Sequence, residues 1–352
     1  MKFGMYYFLQ RPPGTSEADI IRTEVDQMVH AETLGYDTVW LTEHHFADYG
    51  LSAAPSVLAA SVLSRTTRLR VGLAVYVLPF HDPIRFAEEM ATLDIIGRGR
   101  FIVGIGRGNR PTEFMGYRVP QTESRTRLEE AMEIATLAWT RDEVHHTGRH
   151  WTIPGISVYP KPETKPHPPL AMAVTSEDSI RWAARQGYRM LNSGLHTPLS
   201  RNVESLRTYR EELEAHQPSD VTESLLSQWT VTKHVYVAPT DEEAQADAKD
   251  AEMWFIDSMA RSMNPDRWTD LDPGIRRQAE NFVANLRSYR WEEMLAGPLL
   301  IGSPETVAAK ARELQGAGVG ELVCWMNFGG IPDGKTRRSM ELFASEVMPS
   351  LR

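Results

Sequence analysis

The chain has 352 residues, a formal net charge of −9 at pH 7 and a single cysteine. That length supports one large hydrophobic core, and residues 1–352 read as one domain. The acidic balance and the lack of a basic stripe interleaved with aromatics exclude a nucleic-acid scaffold, no run of about twenty apolar residues offers a transmembrane helix, and one cysteine builds no disulfide framework.

The amino-terminal stretch Met1–Leu9 is too short for the apolar core of a signal peptide and has no small-residue cleavage site. It reads instead as a first strand, Phe3–Leu9, of a cytoplasmic protein. Helix Ala18–Leu34, strand Thr38–Thr42, helix Pro55–Ser64 and strand Arg70–Leu78 are predicted next. Helix Pro83–Ile96, strand Phe101–Ile105 and helix Arg125–Trp139 follow. Residues 140–168 are rich in proline and contain short β-like pieces. Then come strand Leu170–Val174, helix Glu177–Gln186, strand Arg189–Ser193, helix Leu199–His216, strand Thr230–Val237 and helix Asp241–Ser262. The stretch from Met263 to Gly297, broken by Pro265 and Pro273, is the longest insertion and falls between the seventh and eighth strands. Helix Pro304–Ala317, strand Glu321–Met326 and helix Lys335–Leu351 close the chain. Asp82 before Pro83 and Ser303 before Pro304 mark helix starts, while Gly35, Gly97, Gly187 and Gly316 mark helix ends. Eight β-α units of this length predict an α/β fold, a (β/α)₈ TIM barrel with insertions; an open doubly wound sheet is the alternative.

In parallel α/β folds chemistry sits at the carboxyl ends of strands. Thr42-Glu43-His44-His45-Phe46 stands at such an end, and two histidines beside a carboxylate make poor core residues. Histidine exchanges protons most easily near neutral pH, so Glu43, His44 and His45 are candidate catalytic residues. After strand Phe101–Ile105, Gly104, Gly106 and Gly108 bracket Arg107. Glycines let backbone approach a ligand, and arginine grips an oxyanion through a planar fork of donors. The spacing G-x-G-x-G is not a dinucleotide fingerprint, because the third glycine comes one residue early. Arg125 opens the next helix, and Thr175-Ser176 opens another, where free backbone N–H groups favour an anion. Taken singly these are ordinary turn and cap residues; together they point to a phosphate site. No G-x-S-x-G elbow, P-loop or metal-ligand spacing is present, so no metal site is expected, and His145, His146 and His150 read as solvated or structural.

These residues carry a resemblance that runs nearly end to end. Thr42–Phe46 with Tyr49-Gly50-Leu51, then Leu78-Pro79 with His81-Asp82-Pro83, Gly99-Arg100-Phe101, Arg107-Gly108, Gly302-Ser303-Pro304-Glu305 and Met340–Pro349 resemble the bacterial luciferase family of flavin-dependent monooxygenases. The resemblance implies a barrel that holds reduced FMN (FMNH₂) at its carboxyl-end mouth. It implies that His44 is the catalytic histidine, and that Arg107, Arg125, Thr175 and Ser176 surround the FMN phosphate. Ala74-Val75 would be a non-proline cis peptide beside the flavin ring. Two departures stand out. Luciferases proper carry cysteine where this chain has Gly106, and Glu-Ser where it has Thr175-Ser176. Light emission and a long-chain aldehyde therefore do not carry over.

The implied activity is that of a monooxygenase that activates O₂ as a flavin C4a-(hydro)peroxide and oxygenates a small organic substrate. No NAD(P)H site is recognisable, which implies a separate NAD(P)H:flavin reductase. The alternative is an F420-dependent hydride-transfer oxidoreductase on the same barrel. No nucleic-acid or membrane partner is expected. Helix Pro55–Ser64 is small or apolar on nearly every side, which predicts a homodimer through it. The Met263–Met294 segment, polar yet aromatic, is expected to be a lid loop.

Overall fold

A computed structural model describes residues 1–47, 50–192, 194–268 and 271–352. Tyr49 of the resemblance, Ser193 at the predicted end of the sixth strand, and Thr269 and Asp270 of the expected lid lie outside the described residues. Eight parallel strands form the barrel: β1 (Lys2–Tyr7), β2 (Thr38–Leu41), β3 (Arg70–Leu73), β4 (Phe101–Gly106), β5 (Leu170–Val174), β6 (Arg189–Asn192), β7 (Thr230–Val237) and β8 (Glu321–Trp325). Each pairs with the next, and β8 returns to β1 with Glu321 opposite Lys2 and Cys324 opposite Met5. The sheet is therefore closed, as eight alternating β-α units predict.

The period-two alternation of a strand assigns each residue a side. Phe3, Met5 and Tyr7 of β1 face outward into the main core beneath the helices, while Tyr6 belongs with the inward set of Trp40, Ile102, Ala171, Leu191 and Val323. The floor of the barrel is polar. Glu321 accepts hydrogen bonds there from Thr38, Trp40 and Arg189. Gly4 makes room for it, since a Cβ at that position would overlap the Thr38 hydroxyl. Helix starts follow the sequence signals. Asp82 accepts from the N–H groups of Ile84 and Arg85, and Ser303 from Thr306.

Several regions differ from expectation. The strand predicted over 70–78 stops at Leu73, Tyr76–Val77 pairs with Ile105–Gly106, and Leu78–Phe80 forms a 3₁₀ turn, while the Ala74–Val75 peptide between them is cis, as the resemblance implies. Two short helices, Pro111–Tyr117 and Ser219–Leu226, are added; both are too short for a 3.6-residue period to stand out. The lid segment is mostly helix, over Pro273–Ser288 and Trp291–Ala296. Pro273 starts the first of these rather than breaking one, because Asp272 caps it and Ala279, Val283 and Leu286 bury one face. The last helix runs Asp333–Leu342 and continues as a wider π-type turn over Phe343–Val347.

The β-like pieces near 144 and 156 form a hairpin, Val144–Thr147 with Thr152–Ile156. The longest connection in the barrel is the one from β7 to β8. Helix Pro55–Arg65 buries Pro55, Ala59, Val62 and Leu63 but leaves Val57 67% exposed. Among the described residues no helix is long and apolar enough to cross a membrane.

Candidate active site

The carboxyl ends of the strands surround a cavity of about 210 Å³. Its wall divides by chemistry. Ala74, Val75, Met172, Ala173 and Leu191 make an apolar slot, Arg107, Thr175 and Ser179 a polar end, and His44, Glu43 and Glu113 an acid–base corner.

His44 lies three residues past the end of β2 and stacks on Phe8, ring centroids 4.4 Å apart. Its Nδ1 lies 3.0 Å from Glu113 Oε1, which also accepts the His45 backbone N–H at 3.0 Å. A buried carboxylate opposite Nδ1 fixes the proton there and turns Nε2 to the cavity. Among the described residues Nε2 has no protein partner, and the side chain keeps 18% of its surface exposed. Burial, and then the neighbouring charge of Arg110, push His44 down to about 4 against the pull of Glu113. The ring is therefore neutral at pH 7, an acceptor at Nε2. Burial works to raise Glu113, but the bonds and charges of His44, Arg110 and His45 N–H outweigh it and hold the carboxyl below its ordinary range.

Glu43 and His45 serve differently from His44. The sequence groups all three as candidate catalytic residues. The side chain that hydrogen-bonds the His44 ring is Glu113, from the short helix Pro111–Tyr117. Both ring nitrogens of His45 are engaged in the wall, Nε2 with Glu43 at 2.8 Å and Nδ1 with the Tyr117 hydroxyl at 3.0 Å. Glu43 accepts from His45, from His81 Nε2 at 2.7 Å and from the Val77 N–H at 2.6 Å. Burial would raise Glu43, but the hydrogen bonds from His45 and His81 bring it to about 2.

At the polar end, burial and then the charge of Arg125 lower Arg107. Arg125 is half-exposed and reaches Glu129 at 2.9 Å and Asp178 at 3.7 Å. Thr175 reaches the cavity wall; Ser176 does not. The Ser176 hydroxyl caps helix Glu177–Arg185 in a reciprocal box with Ser179, and Ser179 is the one that lines the cavity. Gly106 stands where a Cβ would overlap the Val75 side chain. Val75 thus fills the space that a cysteine at position 106 would need.

Sequence reading missed Glu113, Ser179, Phe8 and His81. Ser179 had a signal in the Ser-x-x-Ser spacing at a helix start. Glu113 had none, because it is 69 positions from His44. A second cluster also went unseen. His196, His234 and Glu252 come together from three elements and could hold a metal ion by their spacing. Here the two imidazoles hydrogen-bond the two oxygens of Glu252, at 2.5 and 2.6 Å, so both carboxylate oxygens are already engaged.

The family model described as luciferase-like monooxygenase matches residues 1–321. The alkanal monooxygenase alpha chain of the Kryptophanaron alfredi symbiont is 28% identical over 368 residues, covering 100% of this chain and 99% of its own. Among solved structures, the oxygenating constituent of 3,6-diketocamphane monooxygenase from the CAM plasmid of Pseudomonas putida, a type II Baeyer–Villiger monooxygenase in complex with FMN, superposes with a TM-score of 0.82 at 21% identity. It covers 100% of this chain and 99% of that one. An F420-dependent secondary alcohol dehydrogenase superposes with a TM-score of 0.75 at 15% identity, over 100% and 99% of the two chains. Likeness at these identities establishes the shared barrel.

Proposed function

This chain belongs to the luciferase-like monooxygenase family, and from that premise we propose that it is the oxygenase of a two-component flavin system, binding reduced FMN in the cavity at the barrel mouth and using O₂ to oxygenate a small organic substrate. The observation that carries the reading is one cavity holding three kinds of wall: an apolar slot, an arginine-hydroxyl end and a histidine whose Nε2 has no protein partner among the described residues.

The donor set fits FMN. Arg107, with Thr175 and Ser179 at the amino end of helix Glu177–Arg185, would hold the phosphate. Gly106 keeps the wall beside Val75 flat, and Ala74, Val75, Met172 and Leu191 suit an aromatic ring system. When bound, reduced FMN supplies the electrons with which O₂ is activated for oxygen transfer. The chain supplies the rest. The apolar slot keeps water from the reacting atoms. His44, neutral and held by Glu113, takes a proton at Nε2 and returns it. Glu43 and His45 are positioning residues that set the wall next to it.

No NAD(P)H site was found in the sequence, so a separate reductase would deliver the reduced flavin; the relative crystallised with FMN is likewise named as one constituent of its enzyme. The buried, unbridged Cys324 fits a reducing cytoplasm, and the exposed Val57 on helix Pro55–Arg65 fits a homodimer. One observation favours the F420 reading. A second hollow, about 440 Å³, continues past Thr175 and is lined by Thr197, Arg201 and Arg207, which would receive a longer anionic tail. Glu177 and Glu204 on the same wall oppose it.

Anaerobic titration with reduced FMN, reduced riboflavin and reduced F420 separates the readings. Reduced FMN is expected to bind tightest, and riboflavin to lose the phosphate's share. Preference for F420 would replace the monooxygenase reading with hydride transfer.

A further inference from the structure

Glu43 is fully buried and lines the cavity, yet among the described residues its carboxylate makes no hydrogen bond to the His44 ring. Its hydrogen bonds lead the other way, through the barrel wall. His81 Nε2 lies 2.7 Å from Glu43 Oε1. His81 Nδ1 lies 3.3 Å from the Tyr76 hydroxyl, and that oxygen is 3.1 Å from Glu89 Oε2. Glu89 sits on helix Pro83–Gly97 with 28% of its side chain exposed, and its other oxygen is held by Arg85 at 3.2 Å. Sequence reading noted His81 only as part of a family motif, and the reaction uses neither Tyr76 nor Glu89.

We infer that Glu43, His81, Tyr76 and Glu89 form a proton relay joining the cavity wall to solvent. The relay rests on the flavin reading only for the use made of the proton. Its logic comes from counting hydrogens. The Tyr76 hydroxyl has one hydrogen and two neighbours within reach. In one arrangement His81 is an imidazolium that donates Nε2–H to Glu43 and Nδ1–H to the Tyr76 oxygen, while Tyr76 donates to Glu89. In the other, Glu89 carries the proton and donates to Tyr76, which donates to Nδ1 of a neutral His81. Passing from the first to the second breaks the His81 Nδ1–H bond and the Tyr76 O–H bond. It forms a new Tyr76 O–H bond and a Glu89 O–H bond, and no electron moves. Shifting Nε2–H from the imidazolium to Glu43 completes the path to the cavity. Tyr76 stays a neutral phenol throughout, since burial and then the charges of Glu89 and Glu43 push it far above its usual range.

The groups facing His81 fit this role. Glu43, shared with His45, stands on one side; Tyr76, Glu89 and Arg85 stand on the other, with Asp82 adjacent in the chain. Three donors hold Glu43 as a carboxylate at rest, and it takes the His81 proton only in passing. With a ligand covering the mouth, a relay through the wall would still join the cavity to solvent. The competing route is direct contact of the His81 ring with solvent, since 26% of that side chain is exposed.

The test needs no flavin. Exchange of the His81 ring N–H protons with water is measured by NMR in the ligand-free wild type, in Tyr76→Phe and in Glu89→Gln. Glutamine keeps the shape of Glu89 but passes no proton. The relay predicts exchange slowed at least about tenfold in both variants, the factor that one ordinary hydrogen bond is worth. Glu89 lies at the surface, so Glu89→Gln folds and decides the matter if Tyr76→Phe does not. Wild-type exchange in Glu89→Gln overturns the relay and leaves the flavin reading untouched; failure to bind reduced FMN would do the reverse.

Discussion

Glu24 is a buried carboxylate with no ion pair among the described residues. It accepts the Leu9 N–H at 3.2 Å, and burial, only partly offset by Asn327 and Leu9, raises it from 4.5 to about 8. A carboxyl raised on folding gives stability that is fully present below its unfolded value of 4.5 and is lost as pH climbs through 8. The full loss is about 5 kcal/mol above pH 8, and about 3 kcal/mol of it has accrued by pH 7. Glu24→Gln imitates the neutral acid. Its carbonyl still accepts the Leu9 N–H. Urea unfolding at pH 5, 7 and 9 reads the difference directly. The variant should match wild type at pH 5 and gain about 3 kcal/mol at pH 7 and more at pH 9. Parallel stability curves across that window would refute the reasoning, and would mean that Glu24 is ionised in the fold with a partner of its own.

The remaining predictions concern the site and the assembly. His44→Ala should bind reduced FMN with unchanged affinity in an anaerobic titration and lose at least about a hundredfold in turnover, the low end of what general acid–base groups contribute; full turnover would remove His44 from the mechanism. Arg107→Ala should weaken reduced FMN by about 2 kcal/mol, read by the same titration, as for truncating a charged hydrogen bond. An unchanged constant would place the phosphate elsewhere. Val57→Glu puts a charge at the exposed Val57 of helix Pro55–Arg65 and should shift the protein from dimer to monomer in light scattering; a wild type that is already monomeric at micromolar concentration would discard the interface.

The barrel was legible because its signals are local. Hydrophobic runs of strand length, Asp82-Pro83 and Ser303-Pro304 helix starts, and glycine helix ends each act within a few residues. The strand break after Leu73 was not legible, because Leu73, Ala74 and Val75 are as apolar as the strand before them. Pro273 was misread as an interruption because a proline in a first turn and a proline in a break look alike until the Asp272 cap is seen. At the site, His44, Arg107 and Thr175 were legible as strand-end residues, and all three line the cavity. Ser176 was taken for a ligand group because a cap and an anion site use the same hydroxyl at the same place; it caps the helix, and Ser179 faces the cavity. Glu113 and the His81–Tyr76–Glu89 chain depend on contacts between separate segments, which no spacing in one sequence encodes.

The central claim is that the cavity at the barrel mouth receives reduced FMN and directs its reaction with O₂. Rapid mixing of the anaerobic enzyme–FMNH₂ complex with oxygenated buffer, followed by absorbance, tests it most directly. The account predicts that bound flavin reoxidises in separated phases, slower than free flavin, and that His44→Ala alters those phases without releasing the flavin. Bound flavin that ignores O₂, or that reoxidises in the single phase of free flavin in both proteins, would contradict it.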